Sequence, residues 1–344
     1  MLNNDTLIFL GTIKKVANCG ESMKNHLFIE RYREVYKKVI TVDLWHPRKH
    51  FYRVAWALLV VMFHPNCRVV VSISAEAANH LIKLLQFVGC KNIYFWAVGG
   101  TLHKRIVELG ADPETFKKVK MIYAQSDQVV KGLAEMGIYN CVKVVNSKRI
   151  DYVPDISERN NNMVKFVFLS RVHPTKGCSL IVKSADWLNN NGYRGKFSVS
   201  FYGKFDEDYR PVLMSEMEDV ENVEYKGFLD LTSTKGYDTL SNYDMMLFPT
   251  WWDGEGFPGV IIDAYIAGVP IIASDWSCNT EVVDDSIGII IPTQDQDALT
   301  SAMKDVIDGK YDLKAMADNC QERAKLYDNR IVLSVEKLKE LGML

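Results

Sequence analysis

Two acidic side chains eight positions apart stand out in a glycine-rich stretch of the chain. Glu255 lies between Gly254 and Gly256, after an apolar run, and Asp263 lies within the helix predicted to follow. Pro258 suits the first turn of that helix, because a missing backbone N–H costs nothing there. A strand, a glycine-rich loop and a helix N-terminus together form a site for anions, since free N–H groups and the helix dipole point at the ligand.

The two carboxylates predict contacts with hydroxyl groups near that anion. An acid is poorly placed to bind the anion itself, so we expect Glu255 and Asp263 to hydrogen-bond sugar hydroxyls. A charged first helical turn without any ligand would give the same pattern. That alternative stays open at the level of the sequence.

Two cations five positions apart form the second constellation. Arg171 and Lys176 follow a predicted strand and precede a helix, within residues 169–177. An Arg fork and a compact Lys charge suit a diphosphate, and ligands bind at the carboxyl ends of parallel strands. The segment lacks the glycines of a Walker A loop. Solvated surface charges are the alternative interpretation.

The first predicted strand also ends in a loop that precedes a helix, at residues 11–25. This loop begins at Gly11 and contains Gly20, which would let the backbone cross a cleft. It has no GxGxxG fingerprint, so a dinucleotide site is not supported. We expect Lys24 and Asn25 to be simply residues of the first helical turn.

The elements that would position these loops are short apolar strands that alternate with helices. That alternation predicts an α/β fold of parallel sheets with helices on both faces. The pattern restarts after the polar residues 160–162, which predicts two doubly wound, Rossmann-like domains that face a cleft between them. We expect an N-terminal domain at 1–155, a second domain at 156–325, and a C-terminal helix at 326–344 that packs on the N-terminal domain. Predicted strands lie at 7–10, 39–42, 68–72, 92–98, 121–124, 142–145, 165–170, 197–202, 223–225, 245–248, 271–273 and 288–291.

Composition excludes several classes of protein. The 344 residues are 48% hydrophobic and 24% charged, with a net charge of −2, which is ordinary for a globular protein and lacks the basic signature of nucleic-acid binding. The halves differ, because residues 1–160 hold 23 Lys and Arg against 14 Asp and Glu, and residues 161–344 hold 18 against 29. Different partners for two domains, or drift in surface charge, would explain this split.

Cysteine usage and the N-terminus predict a cytoplasmic location. Seven widely spaced cysteines, with no CxxC pair, argue against a disulfide framework or a zinc knuckle. We expect no signal peptide, because the chain starts without a basic segment and enters a strand at once. The longest apolar run, residues 54–63, is too short to span a bilayer.

These motifs together resemble the signature of the retaining GT-B glycosyltransferases of family 4, or glycosyl transferases group 1. The element from Glu255 to Asp263 is similar to that family's paired-acid motif, although the second acid is usually the longer Glu. Arg171 and Lys176 resemble its diphosphate clamp. Further matching segments lie at 202–203, 226–228, 248–249, 267–270 and 280–282, and weaker ones at 99–100, 125–126 and 145–146.

The resemblance implies transfer of a sugar from a nucleotide-diphosphate sugar to an acceptor, with retention at the anomeric carbon. Glu255, Arg171 and Lys176 would be catalytic: Glu255 would contact the donor sugar, and the two cations would neutralise the leaving diphosphate. Asp263 would bind the ribose, and neither a cofactor nor a metal ion would be needed. The implied donor-binding set is Arg171, Lys176, Glu255, Gly256, Phe257, Pro258, Gly259, Val260 and Asp263.

The resemblance implies that the N-terminal domain, 1–155, binds the acceptor and that the second domain, 156–325, binds the nucleotide sugar. Gly11 and Gly20 belong to the first loop of the N-terminal domain, and Gly99 and Gly100 end a later strand. The family often carries a His close to the sugar at this position, and His103 is the candidate, with a surface helix residue as the alternative.

The implied partners are a nucleotide sugar, with UDP favoured, and a glycan or lipid-linked acceptor of polysaccharide or glycolipid biosynthesis. Basic and aromatic residues at 46–53 precede the apolar run 54–63, which suits peripheral attachment to an anionic cytoplasmic membrane face. A buried crossover helix with a charged start is the alternative. Other functions of the same fold would be a nucleotide-sugar epimerase or a non-catalytic sugar-nucleotide-binding protein.

Overall fold

The computed structural model describes residues 6–13, 20–45, 51–157, 159 and 163–344. The basic residues 46–50, the loop residues 14–19 and the polar residues 160–162 lie outside that range. Two compact units divide the chain: the first comprises Met1–Arg149, Gly254–Phe257 and Tyr327–Leu344, and the second comprises Ile150–Asp253 and Pro258–Leu326. The predicted boundary after residue 155 lies a few residues beyond the observed one.

The first unit is built on a parallel sheet with the strand order β2-β1-β3-β4-β5-β6. That order reverses between β1 and β3, which is the point where parallel sheets bind ligands. Its strands are β1 (Thr6–Gly11), β2 (Lys38–Asp43), β3 (Arg68–Ser72), β4 (Asn92–Trp96), β5 (Met121–Ala124) and β6 (Cys141–Lys143). Its helices are α1 (Gly20–Val35), α2 (Phe51–Phe63), α3 (Ala75–Phe87), α4 (Leu102–Glu108), α5 (Pro113–Lys117) and α6 (Asp127–Glu135).

The second unit repeats this plan with the strand order β12-β11-β10-β7-β8-β9, which reverses between β10 and β7. Its strands are β7 (Val164–Leu169), β8 (Phe197–Tyr202), β9 (Val223–Tyr225), β10 (Met245–Phe248), β11 (Ile271–Ser274) and β12 (Gly288–Ile291). Its helices are α7 (Cys178–Leu188), α8 (Arg210–Glu218), α9 (Thr234–Leu240), α10 (Gly259–Ile266), α11 (Asn279–Val282), α12 (Gln296–Ile307) and α13 (Leu313–Ala324).

Burial on both faces explains why the strands are continuous apolar runs. In the first unit, Ile8 and Leu10 face a core with α2 to α6, whereas Leu7 and Phe9 face a core with α1 and the end of the chain. Phe166 and Phe168 of β7 pack with α7 and α12 in the second unit. Each predicted strand overlaps a strand of the structure.

The end of the chain packs into the core of the first unit as two short helices, α14 (Asn329–Val332) and α15 (Val335–Glu340). Tyr94 and Tyr123 donate hydrogen bonds to the carbonyls of Gly342 (2.6 Å) and Leu341 (2.7 Å). Tyr36 donates to the carbonyl of Met343. These tyrosines satisfy backbone groups at the chain end that would otherwise be buried without partners.

Candidate active site

The loop that carries both predicted cations follows β7 at the reversal point of the second sheet. Residues 174–176 form one 3₁₀ turn, and Gly177 then adopts a left-handed backbone with φ +76°. A Cβ atom at Gly177 would lie 2.3 Å from the carbonyl oxygen of Pro249, which follows β10. Glycine is therefore required here, and it brings the loops after β7 and β10 into direct contact.

Lys176 and Arg171 stand in different surroundings. Lys176 is only 5% exposed, and its Nζ lies 5.5 Å from the ring centre of Phe248. Arg171 is exposed, and its guanidinium lies 5.1 Å from the ring centre of Trp252. Since charge interactions strengthen away from water, a bound anion would interact more strongly with Lys176 than with Arg171.

Trp252 packs against the loop of Arg171 and Lys176, a contact that the sequence motifs do not predict. Its ring contacts the guanidinium of Arg171 and packs edge-on against His173 at 5.0 Å. Its carbonyl accepts a hydrogen bond from the indole of Trp276 (2.8 Å), and the N–H of Trp251 donates to the carbonyl of Thr175 (2.8 Å). These contacts fix the segment before Gly254 against the loop that carries Arg171 and Lys176, here called the cation loop.

Asp263 lies on α10 and is 3% exposed. Tyr237 of α9 donates a hydrogen bond to its Oδ1 at 2.8 Å. Burial and the adjacent carboxylate raise the pKa of the Tyr237 phenol far above its ordinary value, so Tyr237 remains a donor. The role of Asp263 on a ribose stays a prediction, and the hydrogen bond from Tyr237 helps to orient its carboxylate.

Pro258, Gly259 and Val260 form the start of α10, with Pro258 as the N-cap residue. The helix begins directly after the glycine-rich loop, as the proline predicted. The first backbone N–H groups of a helix have no partner within it, which is the basis of their predicted phosphate contact.

Residues Gly254–Phe257, which include Glu255, belong to the first unit. The side chain of Asn146 donates to the carbonyl of Phe257 (3.0 Å), and the Phe257 ring packs on Tyr327 at 5.3 Å. A Cβ atom at Gly256 would lie 2.9 Å from the side-chain oxygen of Gln125, 3.0 Å from the carbonyl carbon of Gly99 and 3.2 Å from the nitrogen of Gly100. The loop of Glu255 therefore rests on Gly99 and Gly100, the residues predicted to contact the acceptor.

The reversal point of the first sheet is held by a network around Gly11, the last residue of β1. Asn25 donates to the carbonyls of Thr12 and Ser72 (both 3.1 Å) and accepts from the Ser72 hydroxyl (2.6 Å). A Cβ atom at Gly11 would lie 2.7 Å from the carbonyl oxygen of Ser72. Asn25 is fully buried, so it is a structural bridge rather than only a residue of the first helical turn.

Lys24 is buried beside this network. Its Nζ donates to the carbonyl of Ala97 at 3.2 Å, just before Gly99. Burial lowers the pKa of Lys24 to about 8, while the charge of Glu21 opposes that shift. Lys24 thus links α1 to the chain segment that supports the Glu255 loop.

The surroundings of Gly20 and His103 give less support to the roles predicted for these two residues. Gly20 opens α1, is exposed and has open space where a Cβ would stand. His103 lies in α4, and its ring packs against Gly132 of α6. Burial lowers the pKa of His103, which favours the neutral imidazole. A contact of His103 with sugar stays a prediction.

Across the described parts of the chain, no three His, Cys, Asp or Glu side chains converge as metal ligands would. No described helix is both long and apolar enough to cross a membrane.

The chain belongs to the glycosyl transferases group 1 family, whose model matches residues 152–326. Its fold is that of the GT-B glycosyltransferases. HepE of Anabaena, solved with UDP and also with UDP-glucose, has a TM-score of 0.74 in its UDP complex, with 14% identity over 98% of this chain and 100% of HepE. The family resemblance and the predicted GT-B class are confirmed, whereas family 4 and retention stay predictions.

Two curated relatives match part of the chain. An uncharacterised 41.2 kDa protein in the cps region of Klebsiella pneumoniae is 23% identical over 172 residues, which are 48% of this chain and 44% of that protein. The amylovoran biosynthesis glycosyltransferase AmsK of Erwinia amylovora is 24% identical over 156 residues, 44% of this chain and 37% of AmsK. The matched stretch spans less than half of either relative.

Proposed function

We propose that this protein transfers a sugar from a UDP-sugar to a glycan or lipid-linked acceptor in polysaccharide or glycolipid biosynthesis, with retention of anomeric configuration. The observation that carries the proposal is the pairing of Arg171 and Lys176 on one loop, at the reversal point of the second sheet. Family membership, the UDP bound to HepE and the role of AmsK in amylovoran biosynthesis support it.

The chemistry proposed for these residues is electrostatic. When the bond between the anomeric carbon and the diphosphate breaks, negative charge builds up on the leaving nucleoside diphosphate. Lys176 and Arg171 offset that charge, and the buried position of Lys176 makes its contribution strong. Glu255 contacts the donor sugar and Asp263 the ribose, and the transfer requires no metal ion.

The proposal includes a membrane, whose cytoplasmic face would present the acceptor to the protein. Helix α2 supports this idea, because three exposed apolar side chains of its second half, Leu59, Met62 and Phe63, lie three and four positions apart on one face. Residues 44–107 contain one acidic residue, Glu76, and eight Lys or Arg. An apolar stripe in basic surroundings suits an anionic lipid surface.

The first test is a donor screen. Thermal unfolding of the full chain would be followed with UDP-, GDP-, ADP- and dTDP-sugars, since a bound donor stabilises the folded state by mass action. A rise in Tm with UDP-sugars alone is expected. Equal small shifts with every sugar nucleotide would contradict the UDP assignment.

The second test separates catalysis from binding. We expect Glu255→Gln to lower the transfer rate by roughly 100-fold or more, the range for a group that acts on developing charge, while UDP affinity changes little. Asp253→Asn is the matched control, because Asp253 is an exposed acid two positions away. If E255Q transfers sugar as fast as D253N, the role given to Glu255 is wrong.

A further inference from the structure

A groove of about 640 Å³ lies in the first unit, where β2 ends and α2 begins. Asp43, the last residue of β2, and Tyr52, Arg53 and Trp56 of the first turns of α2 are among the residues that line it. The groove therefore opens at the carboxyl end of a parallel strand, the edge at which α/β sheets bind ligands. The motifs assigned to donor and acceptor do not include any of these four residues.

The Asp43 carboxylate is held in place, yet one oxygen keeps hydrogen-bonding capacity. Its Oδ1 accepts from the backbone N–H groups of Ile13 and Trp45, both at 2.9 Å. Its Oδ2 has Arg53 as its nearest partner among the described residues, at 3.5 Å, which is too long for a strong hydrogen bond. Asp43 and Arg53 thus offer an acceptor and several donors side by side.

Two exposed aromatic rings also line the groove. Tyr52 is 56% exposed and Trp56 is 46% exposed, and they lie one helical turn apart on the same face of α2. The Arg53 guanidinium lies 5.8 Å from the Tyr52 ring centre. Large apolar surfaces are thus combined with a few fixed polar groups, as in sites for small molecules.

We infer that this groove binds a pyranose ring of the acceptor glycan, an inference that rests on the proposed function. A pyranose presents C–H groups on one face and hydroxyls around its rim. The aromatic rings would stack on the C–H face, and Asp43 and Arg53 would exchange hydrogen bonds with neighbouring hydroxyls. A neutral sugar suits the groove, because the paired charges of Asp43 and Arg53 leave little net charge to bind an anion and still offer an acceptor and donors to hydroxyl groups.

The test uses the full chain and methyl pyranosides of glucose, galactose and N-acetylglucosamine, with binding followed by saturation-transfer NMR. The wild-type protein should give transfer to at least one of these sugars. Trp56→Ala should weaken binding by about ten-fold or more, since buried aromatic area dominates such contacts. Arg53→Gln should also weaken it. Leu84→Ala is the matched control, because Leu84 is half-exposed on α3 of the same unit and does not line the groove.

Absence of saturation transfer to all three sugars in the wild-type protein would overturn the inference, as would equal signals from W56A and L84A. UDP affinity is measured in parallel and should be unchanged in W56A and R53Q, because Arg171 and Lys176 belong to the second unit. If the wild-type chain binds a methyl pyranoside but does not bind UDP, the proposed transfer reaction is contradicted. The groove would then still be a saccharide site.

Discussion

Arg171 and Lys176 carry the same charge, but water screens them differently. Lys176 is buried against Phe248, whereas Arg171 is exposed on Trp252. Lys176→Ala should therefore weaken UDP binding more than Arg171→Ala. Raising the salt concentration should shrink the effect of R171A and leave that of K176A, because exposed charges are screened and buried ones are not. Titration calorimetry with UDP at two ionic strengths measures both effects.

The control for this pair is Lys314→Ala, which removes an exposed charge from α13. It should leave the UDP affinity unchanged at both salt concentrations. Equal losses in K176A and R171A, with the same salt dependence, would show that burial does not distinguish the two cations.

Lys24 makes the stability of the protein depend on pH. Its pKa is about 8 when folded, against an ordinary value of 10.5, so the unfolded chain binds the proton more tightly. The cost of burying the charge is fully present below pH 8 and disappears as the pH rises toward 10.5, at about 1.4 kcal/mol for each unit of pKa difference. The free energy of unfolding of the wild-type protein should therefore rise relative to that of Lys24→Met between pH 7.5 and 10.

Urea unfolding at several pH values measures this difference. Lys314→Met serves as the control and should run parallel to the wild-type protein, because the charge it removes is exposed. Parallel curves for the wild-type protein and K24M would mean that Lys24 is not buried as a charge.

At the scale of elements, the loop from Gly254 to Phe257 depends on close backbone packing. A methyl group at Gly256 would meet Gln125, Gly99 and Gly100 at 2.9 to 3.2 Å, so Gly256→Ala must shift the loop and Glu255 with it. Misplacement by about 1 Å can cost roughly 100-fold in rate. Gly256→Ala should lower the transfer rate by at least ten-fold on that basis, with UDP affinity retained.

Asp253→Ala is the control for the glycine variant. Asp253 is an exposed residue directly before this loop, so this change should leave the rate intact. Similar rates for G256A and wild-type protein would show that the contact with Gly99 and Gly100 does not position Glu255.

The strands and the cation loop were predictable because their signals are local. Apolar runs such as β7 and β10 are bounded by polar residues and glycines, and Arg171 and Lys176 follow a strand directly. Short helices such as α9, with Gly236 and few apolar residues, give no helical pattern.

The missed site residues depend on contacts between distant parts of the chain. Tyr237 meets Asp263 across 26 positions, and Asn25 meets Ser72 across 47. A single sequence contains no signal for such pairs, since each residue alone is an ordinary Tyr or Asn. For the same reason the support of Gly256 by Gly99 could be seen only in the folded unit.

For the whole molecule, the opposite charges of the two halves bear on membrane binding. Residues 1–160 carry the basic surplus, and the exposed apolar stripe of α2 lies in the same half, where Phe63 is 75% exposed. Binding to phosphatidylglycerol vesicles should therefore exceed binding to phosphatidylcholine vesicles, and it should fall as salt is added. Flotation of the full chain with each kind of vesicle measures both effects.

Variants of α2 distinguish vesicle binding by charge alone from vesicle binding that also requires insertion of apolar side chains. Leu59→Glu with Met62→Glu places two acids on the exposed stripe and should abolish flotation. Val212→Glu with Met214→Glu is the matched control, because these exposed apolar residues lie on α8 in the acidic half. If the α2 variant floats like the control, the stripe does not insert into the bilayer, and the basic surplus of residues 1–160 alone accounts for vesicle binding.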